Sequence, residues 1–408
     1  MKRIVYITAT LPALTVTFIY NEIFRLRELG SEIDTVSMNT PPENQISGAA
    51  RPLRDTTLYL DQVSIALKLL GCAATAVRHP LRFCRCIAHL VTARPVRLPR
   101  DFFRNAYHLL EAGYLAHSMR HKPPDHVHSH FINGPTTIAM FTGLLVGVPY
   151  SFTMHASMIW KDPVAFRNKL DTCSFCVSIS DYNRRYVLET YGQRYASRFN
   201  IVHCGIDPGA SIPERAGKQG HGPLRILGVG QLNARKGFHV LLPALAELKK
   251  QGIDFSCIIV GDGPERQALE RQKTSLGLGE ELQLTGARLH EEVKAMLPDA
   301  DLFVLPCVIS SDGWRDGIPV ALMEAMQARL PVISTNILGL PELISDGEEG
   351  LLVPPDDPMA LQAAIRRISE DPELGIRLGE AARQKVLREF NNDKSAAMLH
   401  ELIEGARQ

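Results

Sequence analysis

Several features that would assign the chain to a simple functional class are missing from its 408 residues. With 45 basic and 44 acidic residues the formal net charge is +1, so no global field favours nucleic acid. The longest uncharged stretch, residues 126–160, is interrupted by Gly143, Gly147 and Pro149, which predicts a helix and a strand and not a membrane span. The N-terminal "MKRIVYITAT" lacks a long apolar run and a cleavage site, so we expect no secretion signal.

Cysteine spacing gives little support for a metal site. Cys173 and Cys176 have CxxC spacing, which leaves zinc or redox chemistry open, but no second CxxC or Cys/His pair at ligand spacing accompanies them. The surrounding "TCSFCVSIS" also fits a buried strand. We therefore expect eight free cysteines in a cytoplasmic protein and no metal.

Short apolar runs alternate with amphipathic segments nearly throughout. The predicted strands of the first half are "RIVYIT", "EIDTVSM", "HVHSHF", "PYSFTM", "FCVSIS" and "FNIVH", and those of the second are "LRILGVG", "FSCIIVG", "LQLTG", "LFVLP", "PVISTN" and "GLLVP". Segments such as "FHVLLPALAELKKQG" between them have helical spacing and a Gly stop. This alternation is typical of doubly wound parallel sheets, and it occurs twice.

The sequence therefore predicts an α/β protein of two Rossmann-like domains facing a central cleft. We expect an N-terminal acceptor-binding domain at 1–207, a Gly- and Pro-rich linker at 208–223 and a C-terminal donor-binding domain at 224–385. A final helix at 386–408 is predicted to pack on the first domain. Ligands of such sheets bind beyond the carboxyl ends of the strands.

Residues 62–100 contain no acidic side chain, although they carry seven basic ones: Lys68, Arg78, Arg82, Arg85, Arg94, Arg97 and Arg100. Together with the apolar "IALKLLGCAATAV" and "LRFCRCIAHLV", this composition predicts a surface for an anionic membrane. The alternative is a pair of helices that cover the core and expose solvated arginines.

The stretch "IPVALMEAMQA" predicts a helix that begins at a phosphate site. Pro319 suits the first helical position, and Gly317 lets the chain enter tightly. The first-turn amides expected to be unpaired are those of Val320, Ala321 and Leu322.

Two carboxylates, Asp316 and Glu324, bracket this predicted phosphate site. Hydroxyl-accepting acids on either side of a diphosphate suit a nucleotide sugar, with one acid for the sugar and one for the ribose. The alternative is that Asp316 caps the helix and Glu324 is a surface acid.

A second stretch, "ILGVGQLNARKGFHVLLPAL", is predicted to run from strand through loop to helix. Arg235 and Lys236 precede Gly237 there, and these cations could neutralise a leaving diphosphate. The Gly228 and Gly230 pair is weak evidence, because the third Gly and the following acid of a dinucleotide fingerprint are absent.

The motifs "VGQLNARKG", "VGDGPER", "LTGAR", "ADLFVLPC" and "DGIPVALMEAM" resemble the donor domain of retaining glycosyltransferase family 4 enzymes of GT-B fold. "VHSHF", "PYSFTMHA", "VSISDYNRR" and "IVHCGID" extend the resemblance over nearly the whole chain. Within that family it is most similar to exopolysaccharide transferases of colanic acid and amylovoran type.

The resemblance implies roles for individual residues. The catalytic set is His155, Asp316 and Glu324. The donor-binding set is Gln231, Arg235, Lys236, Gly237, Gly261, Gly286, Ala287, Arg288, Gly317, Ile318, Pro319, Val320, Ala321 and Leu322. The loop that approaches phosphate and acceptor contributes Pro12, Thr15 and Thr17.

Three residues depart from the family pattern. Asp316 stands where Glu is usual, Gln231 where Arg is common, and Val16 where the N-terminal loop has Glu. Because Gln231 carries no charge, Arg235 and Lys236 would have to neutralise more of the diphosphate's charge.

The resemblance implies sugar transfer, with retention, from a UDP- or GDP-sugar to a saccharide acceptor that is lipid-linked. No cofactor or metal is expected, because helix amides and two cations can serve the diphosphate. Two alternatives stay open: a GT-B sugar-nucleotide epimerase or hydrolase, and a non-catalytic scaffold of a polysaccharide assembly complex.

Overall fold

A computed structural model describes residues 2–407 except 14–16, 43–45, 47–49, 94–98, 156–158, 161–162 and 211–221. The chain divides into two compact units. Unit 1 comprises Met1–His203 and Asn392–Gln408, and unit 2 comprises Cys204–Asn391. Within the described ranges, no helix combines the length and the apolar character that crossing a bilayer requires.

Unit 1 is built on one parallel sheet with the strand order β3-β2-β1-β4-β5-β6-β7. Its strands are β1 Arg3–Thr10, β2 Glu32–Asn39, β3 Leu58–Tyr59, β4 His126–His130, β5 Tyr150–Met154, β6 Phe175–Ser178 and β7 Phe199–Ile201. Every residue of β4, β5 and β6 is buried, as expected of central parallel strands that helices cover on both faces.

The helices of the first part of the chain pack around this sheet. They are α1 Thr17–Glu28, α2 Arg51–Thr56, α3 Ile65–Arg78, α4 Pro80–Thr92, α5 Pro99–Ser118, α6 Gly134–Val146, α7 Phe166–Thr172 and α8 Asp181–Tyr191. One buried ion pair joins α3 to α5: Lys68 Nζ lies 3.2 Å from Glu111 Oε1 and donates to Tyr107 Oη at 2.7 Å.

Unit 2 has a second parallel sheet, with the strand order β10-β9-β8-β11-β12-β13. Its strands are β8 Leu224–Val229, β9 Phe255–Val260, β10 Leu282–Gly286, β11 Leu302–Val304, β12 Val332–Thr335 and β13 Leu351–Val353. The order reverses between β8 and β11, which makes that edge the topological switch point where such sheets bind ligands.

The helices of unit 2 are α9 Phe238–Lys250, α10 Arg266–Ser275, α11 His290–Met296, α12 Val320–Gln327, α13 Leu340–Leu343, α14 Pro358–Glu370 and α15 Pro372–Glu389. Two of these helices, α14 and α15, begin with an Asp cap followed by Pro. For example, Asp357 accepts hydrogen bonds from two first-turn amides of α14, and Pro358 occupies the first helical position.

The last helix, α16 Asn392–Gly405, belongs to unit 1 and not to the unit that precedes it in sequence. Ala396, Leu399 and Ile403 are buried in the core cluster that includes β1 and α1. Lys2 Nζ also donates to the carbonyls of Ile403 and Glu404, at 2.7 and 2.8 Å.

The predicted fold class of two parallel-sheet α/β domains is confirmed, and each strand predicted from the apolar runs is present. The short strand β3 was not predicted, because two residues do not form a recognisable apolar run. The boundaries between the units fall after His203 and after Asn391 in the sequence. The boundaries predicted from the sequence are at 207 and 385. Of the predicted linker, residues 211–221 lie outside the described part.

Candidate functional site

The loops that follow β8 and β11 meet at the switch point of the unit 2 sheet. Gly237, between the loop and α9, has φ of +69°, and a Cβ on it would lie 1.8 Å from the Pro306 carbonyl oxygen. The Val308 amide donates to the Arg235 carbonyl at 2.9 Å. Gly237 therefore permits the close backbone contact that joins the two loops.

This contact brings the predicted cations to the first predicted acid. Lys236 Nζ lies 2.8 Å from Asp316 Oδ2, and Arg235 Nη1 lies 3.7 Å from Asp316 Oδ1. The three side chains are 15–21% exposed. Trp314 adds a cation–π contact, with the Arg235 guanidinium 5.7 Å from its ring centre.

The electrostatics of this cluster keep Lys236 charged. Burial alone would lower the pKa of Lys236, but the Asp316 carboxylate, with Cys307 adding to it, makes the net shift upward. Asp316 Oδ2 is buried and makes this ion pair without the directional geometry of a hydrogen bond.

Helix α12 begins just after Asp316, with two corrections to the prediction. Pro319 precedes the helix and is not its first residue, and the Leu322 amide is not unpaired, because it donates to the Pro319 carbonyl at 3.1 Å. Within the described residues, the amides of Val320 and Ala321 donate to no acceptor. Two first-turn donors therefore remain for an anion.

Glu324, the second predicted acid, lies on α12 and is 13% exposed. Its Oε1 lies 3.4 Å from His290 Nε2, at the start of α11. Burial raises the pKa of Glu324 to about 7, and Lys294 opposes that rise. Burial, with Lys294, lowers the pKa of His290, so near pH 7 this ring is neutral while Glu324 is about half ionised.

The remaining predicted donor residues surround this site on neighbouring turns. Gly261, after β9, has φ of +148° and its amide donates to the Gly286 carbonyl at 2.9 Å. Ala287 and Arg288 follow Gly286 and are exposed, and Arg288 pairs with Glu292 at 3.5 Å. Gly317 is half-buried and Ile318 is buried. Gln231 is exposed and accepts from the Asn233 amide group at 3.1 Å.

His155 directly follows β5 in unit 1 and is only 7% exposed. Its Nε2 lies 3.0 Å from His130 Nδ1, and its ring contacts Phe18 and Phe131. Burial, with His130 beside it, holds the pKa of His155 well below its usual range. His155 is therefore a neutral, buried imidazole near pH 7.

The histidines of β4 place one group of possible metal ligands beside His155. Ligand atoms of Glu22, His128 and His130 lie within 4.8 Å of one another. Both ring nitrogens of His128 already contact hydroxyls, at 2.7 Å to Ser151 and 3.1 Å to Thr153. These hydrogen bonds occupy the nitrogens that a cation would need.

The predicted phosphate and acceptor loop is described only in part. Pro12 is buried and follows a cis peptide bond after Leu11. Thr17 is the half-buried first residue of α1, and Thr15 lies outside the described residues.

Several residues of these sites were not predicted from the sequence. In unit 2 these are Trp314, which contacts Arg235, and His290, which contacts Glu324. In unit 1 they are His130, which contacts His155, and Glu22, which contacts His130. The alternation in "HVHSH" was the available signal, because it places three histidines on one face of β4.

Comparison with known proteins supports the family resemblance. Residues 213–385 match the family model described as Glycosyl transferases group 1. The amylovoran biosynthesis glycosyltransferase AmsK of Erwinia amylovora is 38% identical over 209 residues, which cover 51% of each chain. The predicted resemblance to this group is confirmed. The chain spans about half the length of the curated relatives it matches.

Solved structures support the fold along the whole chain. Anabaena HepE in complex with UDP and glucose aligns with a TM-score of 0.72 and 14% identity, over 99% of this chain and 100% of that one. A glycosyltransferase from Rickettsia africae aligns with a TM-score of 0.71 and 16% identity, over 99% and 98%. These neighbours have the predicted GT-B fold.

Proposed function

We propose that the protein transfers a sugar from a nucleoside diphosphate sugar to a saccharide acceptor, with retention of configuration, in exopolysaccharide biosynthesis. The observation that carries the proposal is the contact of Lys236 and Arg235 with Asp316, just before the two available amides of α12. Cations and amides select an anion, and the adjacent acid selects a hydroxyl-bearing group.

The chemistry follows from where charge develops. As the bond between the anomeric carbon and the diphosphate breaks, negative charge grows on the leaving phosphate, and Lys236, Arg235 and the α12 amides stabilise it. The phosphate competes with Asp316 for Lys236, so Asp316 becomes free to accept from a sugar hydroxyl. Glu324 accepts from the ribose hydroxyls, and His155 contacts the reacting sugar. Fixed cations supply the neutralisation that a metal gives elsewhere, so we propose no metal requirement.

A donor screen tests the substrate class. The UDP and glucose bound by Anabaena HepE support a UDP-sugar as the first donor to try, with GDP- and ADP-sugars beside it. The preferred donor should give the largest rise in melting temperature, because a ligand that binds only the folded state stabilises it by mass action.

Lys236→Ala tests the site itself. Loss of this cation should lower kcat about 10²- to 10³-fold. Lys249→Ala is the matched control, because Lys249 also forms an ion pair in unit 2, 2.6 Å from Glu281, away from the site. Unchanged turnover in Lys236→Ala would exclude the assignment.

The same assay separates the alternative functions. A hydrolase or epimerase would consume the nucleotide sugar without a saccharide acceptor, whereas a transferase releases nucleotide only with one. A non-catalytic scaffold would bind the donor in calorimetry and turn over none of the sugars.

A second part of the proposal places the protein on the cytoplasmic face of an anionic membrane, where it meets a lipid-linked acceptor. In the described chain, 17 large apolar side chains are exposed, and 11 of them lie between Ile65 and Tyr107. Soluble proteins rarely gather exposed apolar residues in this way without a binding role.

Helix α3 shows the arrangement most clearly, because its apolar face points outward. Its buried residues are Lys68, Gly71, Cys72 and Thr75. Its exposed large apolar residues are Ile65, Leu67, Leu69, Leu70 and Val77. The burial of Lys68 corrects the prediction that it belongs to the basic surface.

The basic residues of the segment determine which partner this surface fits. Arg78, Arg82, Arg85 and Arg100 are exposed, and residues 62–100 contain no acid to oppose them. Apolar residues surrounded by arginines match the interface of an anionic bilayer. Arg94 and Arg97 lie outside the described residues.

Flotation with vesicles tests this surface. The protein should float with phosphatidylglycerol vesicles at low salt and much less with phosphatidylcholine. A Val77→Asp/Leu81→Asp variant should bind at least tenfold more weakly, because each buried side chain contributes about 1.5–3 kcal/mol. Ile376→Asp is the matched control, since Ile376 is 67% exposed on α15. Equal flotation of both variants would exclude the surface.

A further inference from the structure

A chain of hydrogen bonds in unit 1 connects the interior of the sheet to His155. Tyr6 Oη donates to Glu22 Oε1 at 2.7 Å, and His130 Nε2 lies 2.9 Å from the same oxygen. His130 Nδ1 then lies 3.0 Å from His155 Nε2. The two imidazole rings are nearly parallel, 25° apart, with centres separated by 5.3 Å.

The direction of each hydrogen bond follows from the chemistry of the groups. An ionised carboxylate only accepts, so Glu22 Oε1 accepts hydrogen bonds from both Tyr6 Oη and His130 Nε2. A neutral imidazole with a proton on one nitrogen has a lone pair on the other. In this neutral form, with its proton on Nε2, His130 accepts at Nδ1, and His155 Nε2 donates to it.

We propose that Glu22 and His130 are positioning residues, which fix the His155 ring with its proton on Nε2 and the lone pair on Nδ1. A carboxylate that accepts from one ring nitrogen of a histidine holds that ring in one tautomer. Here Glu22 acts in this way on His130, and His130 acts on His155. It rests on the proposed function only in placing the reacting sugar beside His155.

The packing of the group supports a positioning role. His130 is 1% exposed and His155 is 7% exposed, so water has little access to the hydrogen bond between the two rings. Each member comes from a different element: Tyr6 from β1, Glu22 from α1 and His130 from the end of β4. Burial, together with Glu22, holds the pKa of Tyr6 well above its usual range, which keeps Tyr6 a donor.

The tautomer can be measured without any turnover. In the full-length protein with ¹⁵N-labelled histidine, the ring-nitrogen shifts of His155, assigned by their loss in His155→Ala, should show Nε2 protonated. His130→Ala should shift His155 toward a mixture of tautomers. The control His126→Ala removes an equally buried histidine of β4, whose Nε2 contacts Ser151 at 2.7 Å, and should leave His155 unchanged.

Kinetics supply the second readout. With the donor found in the thermal screen, His130→Ala should lower kcat about tenfold to a hundredfold with KM for the donor within about twofold, because orientation and not binding is lost. His126→Ala should retain kcat. If no sugar nucleotide is turned over, the proposed function fails while the tautomer measurement still decides this inference.

Three results would overturn the inference. His155 protonated on Nδ1 in the wild-type protein would reverse the direction of the chain. An unchanged His155 tautomer in His130→Ala would show that His130 does not fix it. One equivalent of a divalent metal in the purified protein, lost in His130→Ala, would show that Glu22, His128 and His130 are metal ligands instead.

Discussion

Asp316 is the residue whose identity the site explains best. Its carboxylate already reaches Lys236 at 2.8 Å, so the shorter side chain fits the loop as it stands. A Glu side chain at this position is longer by one methylene, a reach of roughly 1.5 Å. Its carboxylate would therefore extend past the Lys236 ammonium.

We therefore expect Asp316→Glu to lower kcat/KM for the donor by about 10²-fold, because a displacement of this size disrupts alignment of the reacting groups. Steady-state kinetics on the preferred donor measure it. Asp312→Glu, in the same loop, is the control. A rise in activity for Asp316→Glu would show that the aspartate is a compromise.

Glu324 gives the site a dependence on pH. Burial raises the pKa of Glu324 to about 7, above the unfolded value, so the folded state holds the extra proton between about pH 4.5 and 7. The free energy of unfolding should fall as pH rises through that window, by about 3 kcal/mol in total for this group. Glu324→Gln should remove this component, as urea unfolding at several pH values would show.

Donor binding should follow the opposite trend, because ribose hydroxyls need the carboxylate as acceptor. The affinity of the free enzyme for the donor should rise about tenfold from pH 6 to pH 8. Calorimetry in two buffers of different ionisation enthalpy measures the proton released. An identical slope in Glu324→Gln would assign the titration to another group.

At the scale of elements, the backbone contact of Gly237 holds the site together. Gly237→Ala places a Cβ 1.8 Å from the Pro306 carbonyl, so the loops after β8 and β11 must separate. We expect it to lower unfolding stability by more than Gly252→Ala, which has φ of +76° with open space around it and carries only the left-handed backbone cost of about 1–2 kcal/mol. Thermal melts of both variants compare the two effects, and equal losses would show that the loops can separate freely.

The elements themselves could be predicted from the sequence because apolar runs and helix starts are local signals. The segment "FHVLLPALAELKKQG", predicted to be helical from its apolar spacing, forms α9. The hydrogen-bonded group around His155 could not be predicted, because Glu22 and His130 are separated by 108 residues and meet only through tertiary packing. Lys68 was misassigned for the same reason: its partner Glu111 lies 43 residues away.

At the scale of the whole molecule, the chain crosses back to its first unit at the end. Leu399 on α16 is completely buried in the core of unit 1. Leu399→Ala should destabilise unit 1 by about 2–5 kcal/mol, the usual cost of a large cavity. Val386→Ala, equally buried in unit 2, is the control.

Hydrogen exchange followed by mass spectrometry distinguishes the units. Leu399→Ala should accelerate exchange in β1 and β2 and leave β8 and β9 protected, whereas Val386→Ala should do the reverse. Uniform acceleration in both units for either variant would show that they unfold as one.

The buried pair of Lys68 and Glu111 has a consequence for how α3 is oriented. A helix with this many leucines could bury them by rolling about its own axis. That rotation would carry the Lys68 ammonium out to solvent and leave the buried Glu111 carboxylate with only the His108 ring beside it, 3.0 Å away. Removing one partner of a buried ion pair costs about 3–5 kcal/mol. The ion pair thus stabilises the orientation of α3 in which its apolar residues face solvent, even when no membrane is present.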